Sequence, residues 1–176
     1  MPHITLHTAI NAPIGVVFNL SRSIDLHKTS AAHTSEAVVA SPIVNDMWAR
    51  REGLMELNET VTWRARHFGI IQYLTVRITS MRYPYHFTDE MVPGFGAFKA
   101  MAHRHLFEEK EDGTVVMTDI FYYKSPLGIL GKLADALFLK RYMRNFLQKR
   151  NTILKACAED PEKWRHIPGI DDSGSR

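Results

Sequence analysis

The sequence lacks the features that would mark a secreted or membrane-spanning protein. It has a single cysteine, Cys157, which excludes an intramolecular disulfide and a zinc site built from cysteines alone. No window approaches the run of about 18 apolar residues that a membrane-spanning helix needs. The first ten residues also lack the basic segment and apolar stretch of a secretory signal peptide. We therefore expect a soluble, cytoplasmic protein.

A strong charge of one sign is also missing. The chain carries 22 lysines and arginines against 19 acidic residues, a formal net charge of +3. A dedicated nucleic-acid-binding protein has a larger basic excess, so we expect no sequence-specific nucleic acid partner. An apolar fraction of 45% in 176 residues indicates a folded chain with one core. We predict one domain over residues 1–158 and a C-terminal tail over residues 159–176.

The hydropathy pattern predicts the order of the secondary-structure elements. Residues 3–10 alternate between apolar and polar and predict a strand with one buried face. Asn11 as a cap and Pro13 in the first turn predict a short helix, and Ser23 predicts the cap of a second one ending near residues 27–28. Alternation and turn residues then predict an antiparallel meander with strands near 36–40, 54–68, 70–83, 85–91, 97–108 and 114–123, and a loop at 93–96.

Residues 128–158 contain no proline, and no glycine after Gly131, so they predict one long helix of about 45 Å. A strongly twisted sheet of about seven strands has one face to bury, and only this helix is long enough to cross it. The space between the two is either filled by large side chains or left open as a pocket.

The loop at residues 111–113 decides which side chains meet on the last hairpin. A three-residue loop with a left-handed glycine places His105 opposite Asp119 and His103 opposite Phe121. A two-residue loop would shift every pair by one position. We favour the three-residue loop, because it gives a buried imidazole an acidic neighbour.

Several short motifs carry a family resemblance: residues 61–63 (VTW), 87–89 (FTD), 96–98 (GAF), 103–107 (HRHLF), Asp119, 123–128 (YKSPLG), Phe146 and Arg150. With the element order, they resemble the helix-grip superfamily of the birch pollen allergen and the steroidogenic lipid-transfer proteins, called SRPBCC or START-like. The likeness covers about residues 3–158. The motifs are similar to those of a bacterial branch described as polyketide cyclase/dehydrase-like or ligand-binding.

The resemblance implies an α+β helix-grip fold, in which a curved antiparallel sheet wraps around a long C-terminal helix, with two short helices after the first strand. It also implies a deep, mostly apolar cavity that binds a hydrophobic or aromatic molecule such as a lipid, quinone or polyketide. Carrier and sensor roles both follow from such a cavity. The superfamily argues against a metal, and we expect no cofactor.

We predict that the cavity wall includes aromatic and methionine side chains and a few polar groups. The alternative is that the apolar ones simply form core, and Phe95, between Gly94 and Gly96, is either a plug at the cavity mouth or part of a plain turn. Residues 42–51 are a second candidate entrance loop. The predicted ligand-binding residues are Trp63, Phe87, Asp89, Phe95, Met101, His103, His105, Phe107, Met117, Asp119, Phe121 and Tyr123.

His103 and His105 share one face of a strand, about 7 Å apart along the backbone. Three interpretations remain open. With Asp119 and Asp89 they resemble a two-histidine, one-carboxylate metal site. His103, His105 and Asp119 are also candidate catalytic residues, with a histidine as proton acceptor and Asp119 fixing its tautomer, in a cyclase or dehydratase. We favour the third interpretation, in which these groups orient an oxygen of a bound ligand without chemistry.

The predicted long helix carries a run of basic residues with no acid between Asp135 and Glu159. Such a run is either a solvated face or a docking surface for a membrane, RNA or an acidic protein. A peripheral membrane or other anionic partner would bind through Lys140, Arg141, Arg144 and Arg150, and Lys149 and Lys155 belong to the same run.

Overall fold

The computed structural model describes residues 2–31, 36–40, 49–67, 69–96, 98–125, 138–167 and 169–170. These residues form seven strands in one sheet, in the order β1-β7-β6-β5-β4-β3-β2, with every neighbouring pair antiparallel. The elements are β1 (His3–Ile10), α1 (Ile14–Ser21), α2 (Ile24–Ser30), β2 (Ala37–Val38), β3 (Thr60–His67), β4 (Ile70–Arg82), β5 (His86–Gly96), β6 (Ala100–Glu109), β7 (Val115–Lys124), α3 (Lys140–Ala158) and α4 (Pro161–Trp164).

The first elements follow the predicted order, with one difference in capping. The hydroxyl of Ser23 accepts the Leu26 N–H at 3.2 Å and caps α2, as predicted. The predicted Asn11 cap of α1 is wrong, because Pro13 is the capping residue and no side chain bonds to the first turn. Asn11 instead donates its backbone N–H to a carboxylate oxygen of Glu159, at 2.8 Å, and so joins the chain after β1 to the end of α3.

The last hairpin has the predicted register. His105 lies opposite Asp119, and His103 lies opposite Phe121. Gly113 has a φ of +81°, the left-handed conformation that this loop requires. Because side chains alternate along a strand, this register directs both histidines and Asp119 to the same face of the sheet.

The predicted loop at residues 93–96 is wrong, because β5 continues through Gly96 and pairs with Leu74 of β4 after a bulge. Within the described residues, β5 pairs with β6 only from His86 to Glu90. Beyond Glu90 the strand therefore has a partner on one side only. Proline and glycine are tolerated at such an edge, since no ladder hydrogen bond is lost there.

The helix α3 crosses the sheet and contacts β1, α1 and α2. Residues 126–137, which include the first part of the predicted helix, lie outside the described residues. The described part of the segment after α3 packs against the rest of the protein, whereas a polar tail was predicted there. The side chain of Trp164 is buried and its indole N–H donates to the Ala158 carbonyl at 3.0 Å, and Ile170 is buried as well. The domain boundary at residue 158 stays a prediction.

None of the helices in the described ranges combines the length and the apolar character needed to cross a bilayer. The compartment stays a prediction.

Candidate functional site

A cavity of about 340 Å³ lies between the sheet and α3. The strands β3 to β7 form one wall, and α3 with the chain around α2 forms the other. Most of the lining is apolar, so the predicted space between sheet and helix is open instead of filled with side chains. The apolar lining includes Ile24, Met55, Val61, Trp63, Ala65, Leu74, Val76, Ile78, Phe87, Phe98, Met101, Phe121, Leu139, Met143, Phe146 and Leu147.

The structure divides the predicted ligand-binding residues into two groups. One group lines the cavity: Trp63, Phe87, Asp89, Met101, His103, His105 and Phe121. The other group is buried but does not line it: Phe107, Met117, Asp119 and Tyr123. The backbone of Phe95 belongs to β5, but its side chain lies outside the described part of the structure, as do residues 42–48 of the predicted entrance loop.

Helix α1 explains why two of the predicted wall residues are core. Phe107 and Met117 face each other on β6 and β7 at the end of the hairpin that α1 covers. The ring of Phe18 lies 5.3 Å from that of Phe107, and the hydroxyl of Ser21 lies 3.4 Å from the Met117 sulfur. The predicted face of the strands is therefore right, but the cavity occupies only part of it.

Four titratable side chains of three adjacent strands form a compact cluster, which we call the His–Asp cluster: Asp89 of β5, His103 and His105 of β6, and Asp119 of β7. Nε2 of His103 bonds to Oδ1 of Asp119 at 3.0 Å. Nδ1 of His105 faces the same oxygen at 2.7 Å, and its Nε2 bonds to Oδ1 of Asp89 at 3.3 Å. His105 therefore lies between two carboxylates.

Two residues of α3 complete the surroundings of the cluster. The amide of Asn151 donates to Oδ2 of Asp119 at 2.6 Å and to the hydroxyl of Thr8 at 3.2 Å. Arg150 donates from Nη2 to the Ser21 carbonyl at 2.7 Å, and its Nη1 lies 3.9 Å from Oδ1 of Asp119. Asp119 thus joins the long helix to β7.

The position of Arg150 corrects one sequence prediction. We expected this residue in the basic docking run, but its side chain is buried beside the cavity. Asn151 was not predicted as a site residue. A signal was present, since both residues follow Leu147 by one helical turn and precede Leu154 by another, and these leucines are buried.

Contacts within the cluster lower the pKa values of both acids. Burial opposes ionisation of Asp119, but hydrogen bonds from His103 and then His105 outweigh it and hold the pKa of Asp119 well below its usual value. Burial also opposes ionisation of Asp89, and the hydrogen bond from His105 lowers the pKa of this acid. Both side chains are therefore carboxylates at neutral pH, and a carboxylate only accepts hydrogen bonds.

The pKa values of the two histidines shift in opposite directions. Burial favours the neutral form of His105, but contacts with Asp119 and Asp89 raise the pKa of this imidazole above its ordinary value. Nε2 bonds to Asp89 and Nδ1 lies 2.7 Å from Asp119, an arrangement that favours the cation with a proton on each nitrogen. For His103, burial and then the charge of His105 lower the pKa. His103 is therefore neutral, with the proton on Nε2 toward Asp119 and a lone pair on Nδ1.

Metal binding would compete with the hydrogen bonds of the cluster. One donor atom from each of Asp89, His103 and His105 lies within 4.8 Å of the other two, which is close enough to surround a cation. Both nitrogens of His105 face carboxylates, and Nε2 of His103 donates to Asp119. A metal bound through any of these three nitrogens would displace the proton that the nitrogen carries.

Other polar residues of the lining lie away from the cluster. Nε2 of His27 is 3.3 Å from a carboxylate oxygen of Glu36, and the His27 ring lies 4.2 Å from that of Trp63. Nδ1 of His67 and the hydroxyl of Tyr142 are 2.7 Å apart, which connects the end of β3 to α3. The sequence spacing gave no reason to single out either histidine, because neither Glu36 nor Tyr142 stands at a motif spacing from its histidine.

Comparison with known proteins supports the architecture. No family model matches the sequence. No curated protein matches it. Solved structures do: the protein TTHA0849 of Thermus thermophilus has a TM-score of 0.64 at 17% identity, over 88% of this chain and 98% of that one.

Two further structures agree. Major latex-like protein 151 of Panax ginseng has a TM-score of 0.60 at 13% identity, over 89% of this chain and 97% of that one. Protein CV1439 of Chromobacterium violaceum has a TM-score of 0.61 at 12% identity, over 91% of this chain and 99% of that one. At these identities the likeness shows the fold alone. Together with the seven-stranded antiparallel sheet and the C-terminal helix, it shows that the chain has the helix-grip fold.

Proposed function

We propose that the protein binds a hydrophobic or aromatic small molecule between the sheet and α3, as a carrier or sensor. The observation that carries the proposal is the cavity of about 340 Å³, with a mostly apolar lining and one charged cluster. Small-molecule sites commonly enclose about 300–1,000 Å³ and combine apolar walls with a few polar groups that fix orientation. Filling the apolar part with a ligand removes hydrocarbon surface from water, at about 25 cal/mol per Å².

The ring geometry favours an aromatic ligand. Phe87 stacks on His105 with centroids 4.2 Å apart, and Phe121 meets His103 edge-on at 5.3 Å. Trp63 contributes a third aromatic ring to the lining, from β3. Flat aromatic walls of this kind give a planar ligand stacked and edge-on contacts, each worth about 0.5–1.5 kcal/mol beyond its buried area.

The proposal is tested by filling the cavity from within. Ala65 is buried on the lining, so Ala65→Phe places a ring where the ligand would lie. Ala102→Phe on β6 is the matched control, because Ala102 does not line the cavity. The probe is N-phenyl-1-naphthylamine, whose fluorescence rises in apolar surroundings, and native mass spectrometry detects any molecule that co-purifies.

We expect the wild type and Ala102→Phe to bind the probe, and Ala65→Phe to bind it at least about tenfold more weakly, because the ring occupies the ligand's volume. Circular dichroism checks that both variants are folded. Equal probe binding by all three proteins would contradict the proposal, as would the absence of binding to the wild type.

We also propose that the surface formed by the start of β4 and the start of α3 docks on an anionic membrane, from which the ligand would enter. Three large apolar side chains are exposed there: Ile70 and Ile71 on β4, and Phe138 just before α3. Phe138 also lines the cavity. The bond between His67 and Tyr142 joins the end of β3 to the start of α3, and exposed Lys140, Arg141 and Arg144 lie in the first two turns of this helix. Apolar anchors beside basic side chains suit an interface with anionic lipids.

Vesicle sedimentation tests the docking proposal. Arg141→Glu with Arg144→Glu should reduce binding to vesicles containing phosphatidylglycerol, and binding to the wild type should weaken with salt. Lys163→Glu on α4 is the control, since it is exposed but lies on a different helix. Unchanged binding in the double variant, or no binding of the wild type, would contradict this proposal and leave the ligand-binding proposal unaffected.

A further inference from the structure

The atoms of the His–Asp cluster differ in their access to the cavity. The Asp89 side chain is 16% exposed and that of His103 is 8% exposed, whereas the side chains of Asp119 and His105 are 1% and 2% exposed. Asp89 and His103 lie directly opposite each other on β5 and β6, and both line the cavity. A ligand that reaches the cluster therefore touches these two side chains first.

Both of these side chains present acceptors. The Asp89 carboxylate has no proton to donate. His103 spends its only N–H on Asp119, which leaves the lone pair of Nδ1. The donors nearby are only partly engaged: both nitrogens of His105 face carboxylates, and Nη2 of Arg150 donates to the Ser21 carbonyl. Nη1 of Arg150 is buried, lies 3.9 Å from Oδ1 of Asp119 and has no hydrogen-bond partner among the described residues. The cluster thus offers a ligand two acceptors, the Asp89 carboxylate and Nδ1 of His103, and a hydroxyl oxygen that donates to Asp89 can also accept from such a donor.

With His105 protonated, the local charge is balanced without a ligand. The carboxylates of Asp89 and Asp119 are then matched by the imidazolium of His105 and the guanidinium of Arg150. A carboxylate ligand would add an uncompensated charge beside Asp89. A neutral ligand whose polar atom cannot donate would leave the Asp89 carboxylate without a partner on the cavity side.

We propose that the ligand carries a hydroxyl group, of an alcohol or a phenol, which donates a hydrogen bond to the Asp89 carboxylate. This inference rests on the proposed binding function and names the chemical class of its ligand. The aromatic rings of Phe87 and Phe121 beside the cluster favour a phenol. A second donor on the same molecule would satisfy Nδ1 of His103.

Three probes of one ring system test the inference: 2-naphthol, 2-methoxynaphthalene and 2-naphthoate, measured at neutral pH by displacement of N-phenyl-1-naphthylamine. We expect 2-naphthol to bind about 10- to 100-fold more tightly than the methyl ether, because only the naphthol donates to the carboxylate. We expect 2-naphthoate to bind more weakly than the naphthol as well.

Two variants test whether Asp89 causes the preference for the naphthol over the ether. Asp89→Asn removes the charged acceptor and should reduce the naphthol-to-ether ratio to below about threefold, since a hydrogen bond to a charged group is the stronger kind. Glu90→Gln removes one negative charge from the next position of β5, exposed and outside the cavity lining, and should leave the ratio unchanged.

The outcomes separate the inference from the proposed function. Equal binding of all three probes to the wild type would overturn the inference while supporting an apolar binding cavity. Tightest binding of 2-naphthoate would also overturn it, in favour of Arg150 as an anchor for an anion. Binding of none of the probes, with no fluorescence change of the displaced dye, would overturn the proposed function itself. If Asp89→Asn fails to fold, the naphthol-to-ether affinity ratio of the wild type still tests the inference.

Discussion

His105 and Asp119 face each other across β6 and β7, with Nδ1 of the imidazole 2.7 Å from Oδ1 of the carboxylate. Asp89 holds the other ring nitrogen. This arrangement makes the imidazole the positive centre of a buried, charge-balanced group. Its removal or titration should therefore have large and measurable effects.

Replacement of His105 by glutamine should lower the free energy of unfolding by about 3–5 kcal/mol, because it leaves two buried carboxylates without their shared cation. Urea denaturation measures the change. His3→Gln is the matched control, since His3 is exposed at the start of β1 and should tolerate the change within about 0.5 kcal/mol. A loss under about 1 kcal/mol in the His105 variant would contradict the charge assignment.

The two buried histidines should titrate on opposite sides of the ordinary value of 6.5. Asp89, Asp119, His103 and Arg150 surround His105, and the carboxylates raise the pKa of this imidazole. Nitrogen NMR of the imidazole rings at pH 7 should show His105 protonated on both nitrogens and His103 protonated on Nε2 alone. A neutral His105 at pH 6 would be inconsistent with its position between two carboxylates.

The stability that His105 supplies should depend on pH with a defined sign. Its pKa is higher in the folded state than in the unfolded chain, so its contribution is complete below 6.5 and is lost as the pH rises through the folded value. The stability difference between wild type and His105→Gln should therefore shrink from pH 6 toward alkaline pH. A difference that grows over this range would contradict the assigned direction.

The amide of Asn151 should tie α3 to the sheet. Asn151→Ala removes the donor to Oδ2 of Asp119 and to Thr8, and we expect it to lower the free energy of unfolding by about 1–3 kcal/mol. Asn145→Ala lies on the exposed side of the same helix and is the control. Hydrogen exchange of α3 should accelerate in the first variant only. Equal exchange in both would show that other contacts hold the helix.

The enzymatic alternative, a cyclase or dehydratase, makes a different prediction about His103. The neutral imidazole with Nε2–H held by Asp119 has the form of a general base. If the protein only binds, wild type and His103→Asn should carry the same co-purified molecule, with affinity changed by about tenfold or less. If it catalyses a dehydration, the molecule recovered from the variant should be heavier by one water. Mass spectrometry of the extracted ligand separates the two.

The sequence predicts the hairpin register well because a loop of fixed length determines every pair beyond it. The residues at 111–113 allowed a two-residue or a three-residue loop, and the acidic neighbour that the longer loop gives to His105 selected the register that the structure shows. The same reasoning does not place the cavity along the strands. Phe107 and Met117 are core because α1 packs on them, and that contact is not encoded in the strands themselves.

On helix α3 the sequence predicts the wrong environment for one residue, Arg150. Arg150 belongs to a basic run, and charge alone assigns such a run to the surface. Its burial depends on the leucines one turn away on either side and on the backbone carbonyl of Ser21, which accepts a hydrogen bond from its guanidinium. The pairing that neutralises Arg150 comes from β7, so only the assembled fold reveals it.

The two carboxylates of the His–Asp cluster have separate duties. Asp119 is buried and bonds to Asn151 of α3, whereas Asp89 of β5 lines the cavity. A substitution at Asp89 can therefore alter what the protein selects while the anchor of its architecture stays in place. Diversification of ligand preference in this scaffold should proceed through β5 more readily than through β7.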